Sequence, residues 1–185
     1  MPAGIGARGP KWQSVTREEG VAVMMREVPG RGFPTFRGVA LIQAHLFDVL
    51  AVLSDVGRYT QWMGRCREAR LLKKINEQER IVYSVTDAPW PVADRDAVYY
   101  SKAHVDARKY VVDIRFQAVK NKRMPARDGI VRMTRLRGHF KLRALGEKLT
   151  LIDYQVDADP AGSIPKWLAK IATKRSRRSA TCASR

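Results

Sequence analysis

Pro89-Trp90-Pro91-Val92-Ala93-Asp94-Arg95-Asp96 decides how this chain is read. Two prolines fix the backbone on either side of Trp90 and remove two amide donors, so the segment forms a stiff turn. Arg95 and Asp96 open the β-pattern that follows, where their side chains can tie that turn down by hydrogen bonds. Trp90, Arg95 and Asp96 are therefore expected to be structural.

Outward from this turn the chain reads as strand. Residues 66–76, 80–88, 95–106, 110–119, 131–144 and 148–158 are apolar, β-rich runs separated by turn chemistry, such as Asn76-Glu77-Gln78 and Leu145-Gly146-Glu147. Connections this short imply antiparallel neighbours, because parallel strands need long crossovers. Alternation assigns faces: Val112, Ile114, Phe116 and Ala118 share one side, and Ile152, Tyr154 and Val156 another. Over 131–143 the apolar parity inverts between Met133 and Leu136. A one-residue slip does this, so a β-bulge is expected near Thr134-Arg135.

Toward the N-terminus, residues 1–17 read as a loose leader. Runs starting at Val21 and Thr35 form a hairpin around Pro29-Gly30-Arg31-Gly32. Over 44–55 the period changes: Leu46, Leu50 and Leu53 fall at helical spacing, with Phe47 and Val49 widening the stripe. Gly57 ends or kinks this helix, and Arg58–Met63 forms a second, short one. After Pro160, Ser163 suits a helix N-cap and Pro165 the first turn. Trp167, Leu168 and Ile171 make that helix's apolar stripe, which would cover the sheet. The domain is thus expected over 18–173, followed by a basic, disordered tail at 174–185.

Composition bounds the function. The 185 residues suit one domain, and 45% hydrophobic content supports a core. Two cysteines and three histidines, none clustered, exclude a disulfide scaffold and a zinc site. No secretory signal and no membrane-spanning run are present, so a reduced, cytoplasmic compartment is expected. The net charge of +17 draws polyanions; Arg108 to Arg143 alone hold twelve Lys/Arg against Asp113 and Asp128. No nucleic-acid reader motif is visible, so transient docking on an anionic membrane is preferred and nucleic acid disfavoured.

Three segments in this order resemble the START family of lipid-transfer domains: Tyr59-Thr60-Gln61-Trp62-Met63, the Pro-Trp-Pro turn with Arg95-Asp96, and Asp159-Pro160-Ala161-Gly162-Ser163-Ile164-Pro165-Lys166-Trp167-Leu168. The resemblance runs from about Val21 to Ile171. It implies an α+β helix-grip fold of the START/Bet v 1-like kind, a curved antiparallel sheet wrapped around a C-terminal helix. It also implies an internal tunnel that binds a lipid or other hydrophobic small molecule, as a non-catalytic carrier or sensor. Burial of roughly 0.8 kcal/mol per CH₂ would drive such binding. Tyr83, Val85, Tyr99, Ser101, Phe116, Met133 and Tyr154 are the expected wall, with Trp167, Leu168 and Ile171 on the helix. Where some members carry a buried arginine, this chain has Ser101, which implies no buried charge at that point. A polyketide cyclase-like enzyme on the same fold is the alternative. His104 and His139 fall among charged neighbours and no catalytic constellation is visible, so no catalytic residue, metal or cofactor is expected.

Overall fold

The computed structural model describes residues 11–18, 20–122 and 124–161. The expected helix at Trp167, Leu168 and Ile171 and the basic tail lie outside these residues.

The hairpin around Pro29–Gly32 is present, as β2 (Val21–Arg26) and β3 (Thr35–Ile42), paired from Val21 with Ala40 to Arg26 with Thr35. Residues 13–17, expected to belong to a loose leader, are strand. Gln13–Glu18 form β1, which pairs antiparallel with β2 and adds an edge strand. Trp12, just before it, lies under the Arg26 guanidinium at 4.7 Å from the ring centroid, a cation–π contact across the hairpin.

The helical insert comprises α1 (Leu46–Ser54), a 3-10 turn at Val56–Arg58 that contains Gly57, and α2 (Tyr59–Trp62). His45 caps α1: its Nδ1 accepts from the Phe47 amide at 3.3 Å. Leu46 and Val49 are buried against Ala103, Val112, Ile114 and Leu142, whereas Phe47 faces solvent. The Thr150 hydroxyl donates to the Ala44 carbonyl at 2.9 Å and pins the start of the insert to the sheet.

The remaining strands are β4 (Cys66–Lys74), β5 (Glu79–Thr86), β6 (Asp94–Asp106), β7 (Val111–Ala118), β8 (Ile130–Arg132), β9 (Arg135–Gly146) and β10 (Leu149–Asp159). The sheet order is β1-β2-β3-β10-β9-β7-β6-β5-β4. The first and last parts of the chain therefore meet where β10 pairs with β3.

The parity inversion near Thr134 is a change of partner, not a bulge. β8 pairs parallel with the start of β6, Asp94 opposite Ile130 and Asp96 opposite Arg132. The chain then leaves that strand, and β9 pairs antiparallel with β7 and β10. Each strand answers to a different neighbour, so their faces need not match.

The sheet is buried on both sides in part. On its inner face α1 covers Ala103, Val112, Ile114 and Leu142. On the other face, Tyr83, Val85 and Val98 are buried beneath the 119–130 loop with Leu72, Val119, Met124 and Ile130. Asp96, fully buried there, accepts from Arg132 Nε at 2.6 Å and Nη2 at 2.9 Å, and from the Tyr83 hydroxyl at 3.1 Å. Arg132 also donates to the Met124 and Pro125 carbonyls, so one ion pair stitches the loop to the sheet.

Candidate internal ligand pocket

Beyond α1, the inner face opens into a partly enclosed hollow of about 150 Å³. The end of α1, α2, the residue Met133 and strands β5, β6, β7, β9 and β10 surround it. Two larger hollows, of about 500 and 470 Å³, lie open on the opposite face among Arg115, Gln117 and their charged neighbours. The inner-face site is the better candidate, because it is the most enclosed of the three and enclosure is what removes a ligand's apolar surface from water.

Cross-strand register builds its wall. Tyr99 stands opposite Ala118, Ser101 opposite Phe116 and Ala103 opposite Ile114, so these side chains share the inner face. Phe140 pairs with Tyr154 across β9 and β10, their rings stacked at 4.4 Å. Phe116 lies 6.1 Å from Phe140, 6.3 Å from Tyr154 and 5.9 Å from Tyr99, closing an aromatic cluster. Gly138 makes room for it: a Cβ there would lie 2.5 Å from Phe116 Cζ.

The helical side is held by one phenol. The Tyr59 hydroxyl donates to the Leu53 carbonyl at 2.8 Å, tying α2 to the end of α1, and its ring meets Trp62 edge-on at 5.3 Å. Burial pushes the Tyr59 pKa up to about 12, and that of Tyr154 likewise to about 12. Burial also raises the Tyr99 pKa, against the Ser84 hydroxyl that hydrogen-bonds it.

Of the expected wall, the pocket brings together Tyr99, Ser101, Phe116, Met133 and Tyr154. Tyr83 and Val85 are not part of it. They belong to the outer-face core beneath the 119–130 loop, because the inward residues of β5 are Arg80, Val82, Ser84 and Thr86. Trp167, Leu168 and Ile171 lie outside the described residues.

The sequence reading missed Arg80, Ser84, Tyr59, Trp62, Met63, Leu136 and Phe140. Arg80 matters most. It pairs across β5–β6 with Ser101, so a guanidinium reaches the pocket from the neighbouring strand. Its Nη1 donates to the Ser54 carbonyl at 2.7 Å and its Nη2 to the Glu77 carbonyl at 3.2 Å. It forms no ion pair among the described residues.

Around the Pro-Trp-Pro turn, Asp94 Oδ1 accepts from the Ala88 amide at 3.1 Å. Arg95 donates to the Ala93 carbonyl and, at 3.2 Å each, to those of Pro160 and Ala161. It thereby ties the turn to the end of β10. Trp90 itself is 89% exposed. His104 faces solvent and His139 lies on the outer face, where burial lowers its pKa. Among the described residues no group of His, Cys, Asp and Glu could hold a metal, and no helix is long and apolar enough to cross a membrane.

This fold recurs in known proteins. A STAR-related lipid transfer protein fragment from Xanthomonas axonopodis superposes with a TM-score of 0.76 at 33% identity, over 91% of this chain and 97% of that one. Human StAR-related lipid transfer protein 5 shares the fold, with a TM-score of 0.77 at 16% identity over 90% and 83%. In sequence, an uncharacterized protein from Pseudomonas aeruginosa is 35% identical over 158 residues, 85% of this chain and 77% of its own. Mouse phosphatidylcholine transfer protein is 23% identical over 170 residues, 90% and 78%. The START domain model matches residues 3–181, and the chain belongs to the START domain family.

Proposed function

We propose that this protein carries or senses a hydrophobic small molecule in the pocket between α1, α2 and the inner face of the sheet, without chemically changing it. The observation behind this reading is the pocket's lining. Leu53, Met63, Ile114, Met133 and Leu136 join the aromatic cluster around a partly enclosed space. Binding then follows from apolar burial alone. The lining contains no carboxylate, histidine or cysteine among the described residues, which favours carriage over acid–base or nucleophilic chemistry. The lipid-transfer names of its relatives support the same reading. Loading and release take place at an anionic membrane surface, toward which the net charge of +17 draws the protein.

Native mass spectrometry of the purified protein, followed by solvent extraction, tests the proposal. A co-purifying apolar molecule, lost when Ser101→Trp fills the pocket, is the expected result. Protein that emerges empty from several expression hosts, and takes up no apolar molecule offered to it, would refute it.

A further inference from the structure

An open hollow of about 470 Å³ crosses β2, β3, β10, β9 and β7 on the outer face of the sheet. Arg26, Arg31, Arg115, Arg137 and Lys141 line it, against one carboxylate, Asp157. Asp113 and Asp153, the cross-strand neighbours of Lys141, are already engaged by Arg115 and Arg37.

Asp157 assembles two of these cations. It is buried on β10, and its Oδ2 accepts from Arg137 Nε at 2.9 Å and from Arg31 Nη1. Guanidiniums from β9 and from the β2–β3 turn thus converge on one oxygen atom. The carboxylate offsets only one of the two charges. Each guanidinium has five N–H groups and gives one of them to Asp157.

Cross-strand register places the other cations. Arg115 stands opposite His139, so Arg137 and Lys141 are its two diagonal neighbours, each at about 7–8 Å. Arg26 stands opposite Thr35 on the far wall. His139 lies amid the cations, with Arg115 opposite it on β7, Gln155 opposite it on β10, and Asp113 and Asp153 on the same two strands. Burial, Lys141 and Arg115 lower its pKa. Paired guanidiniums suit phosphate oxygens, which they grip in a planar fork. Further cations a few ångströms away suit a second, linked phosphate.

We propose that this hollow binds a small compound carrying several clustered phosphate groups. Arg31 and Arg137 hold one phosphate, and Arg26, Arg115 and Lys141 face the others. The site lies on the opposite side of the sheet from the internal pocket and stands independently of the carrier reading.

Calorimetry of the full chain with inorganic tripolyphosphate tests it. Sulfate at equal ionic strength is the reference for unspecific attraction to a protein of net charge +17. Tripolyphosphate is expected to bind at least about tenfold more tightly than sulfate. Arg31→Gln and Arg137→Gln should each weaken it about tenfold, the loss of a charge-assisted contact. Arg137→Lys keeps the charge without the fork and should weaken it about fivefold. Lys148→Gln removes the same charge from the exposed turn between β9 and β10 and should change binding less than about twofold. Thermal melts check that each variant folds. The His139 pKa, read from its ring proton resonances, should rise in the bound protein, because the anion opposes the neighbouring cations. Vesicles containing phosphatidylinositol bisphosphate separate two sources of the phosphates. Retention on them that is lost in Arg137→Gln would support the site and place its phosphates on a lipid headgroup. Tripolyphosphate binding without such retention would support it and place them on a soluble compound. Tripolyphosphate no tighter than sulfate, weakening by Arg137→Gln no greater than by Lys148→Gln, or an unmoved His139 would overturn the site. Arg137→Lys binding as tightly as wild type would overturn the role of the fork.

Discussion

Arg80 on β5 and Ser101 on β6 are direct cross-strand partners, and this pairing places a guanidinium at the pocket wall beside the end of α1. Its bonds to the Ser54 and Glu77 carbonyls join the helix end to the β4–β5 turn. Arg80→Ala is expected to lower stability by about 2 kcal/mol, the loss of charge-assisted hydrogen bonds to backbone acceptors. Arg80→Lys should recover only part of it, because an ammonium lacks the planar fork that reaches two carbonyls. Urea denaturation measures both; equal midpoints for wild type and Arg80→Ala would show that the carbonyls find other donors.

Asp96 and Arg132 give a larger effect. Asp96 is fully buried and both its oxygens are used. Asp96→Ala leaves the Arg132 cation without its partner beneath the loop and is expected to cost about 3–5 kcal/mol. The double variant Asp96→Ala, Arg132→Met removes both charges and should be more stable than Asp96→Ala alone. A double variant no better than the single one would show that the pair's worth lies in the carbonyl contacts of Arg132 instead.

The meander was legible in the sequence because its strands alternate and its turns carry Asn, Asp, Gly and Pro. β7 shows why: Val112 and Ile114 are buried while Arg115 and Gln117 are exposed, so parity alone gives the face. β5 defeats the same logic. Val82 and Tyr83 are both buried, one toward α2 and the other under the 119–130 loop, so alternation vanishes. Tyr83 and Val85 were the apolar choice on that strand, while the inward polar pair Arg80 and Ser84 carries no apolar signal. Polar residues lining a pocket resemble surface residues in any hydropathy pattern. Only the pairing of Arg80 with Ser101 separates the two. β1 was hidden differently: Gln13–Glu18 carry little apolar signal, because an edge strand exposed to water needs little.

Gly138 on β9 stands opposite Phe116 of β7 and Val156 of β10. A Cβ there would lie 2.2 Å from the Gln155 carbonyl oxygen and 2.5 Å from Phe116 Cζ. The first neighbour is backbone and cannot rotate away. Gly138→Ala is therefore expected to destabilise by about 1–3 kcal/mol and to push Phe116 from the aromatic cluster. Adding Phe116→Leu should restore little, since the clash with the carbonyl remains. Full rescue in thermal melts would mean that the ring, and not the β9–β10 pairing, sets the limit.

Acid should unfold the protein through its outer-face ion pairs. The Arg37 guanidinium, donating to both oxygens of Asp153, holds that carboxyl below the usual range. Arg127 does the same for Glu68. At Asp157, burial pushes the pKa up, but hydrogen bonds from Arg31 and Arg137 outweigh it and the net shift is downward. A depressed carboxyl contributes its full stability above the unfolded value of about 4 and loses it as pH falls through the folded one. Stability should thus decline a little below about pH 6.5, where the unfolded chain protonates His139 before the folded one does, and fall more steeply below pH 4. Asp153→Asn should flatten part of that fall when denaturation midpoints are plotted against pH; an unaltered slope would exclude Asp153 as a contributor.

At the alkaline end the pocket tyrosines act with the opposite sign. Burial raises Tyr59 and Tyr154 to about 12, against an unfolded value near 10. Below pH 10 both states hold their protons and the contribution is whole. Between about pH 10 and pH 12 the unfolded chain ionises first, so stability falls across that window. Following tyrosinate by ultraviolet absorbance should show a late-titrating phase that shrinks in both Tyr59→Phe and Tyr154→Phe. The two variants should part at neutral pH. Tyr59→Phe loses the bond to the Leu53 carbonyl and about 1 kcal/mol with it. Tyr154→Phe loses no bond to any described residue and should be as stable as wild type or more so. A Tyr154→Phe protein as weakened as Tyr59→Phe would mean that its hydroxyl has a partner in the folded protein.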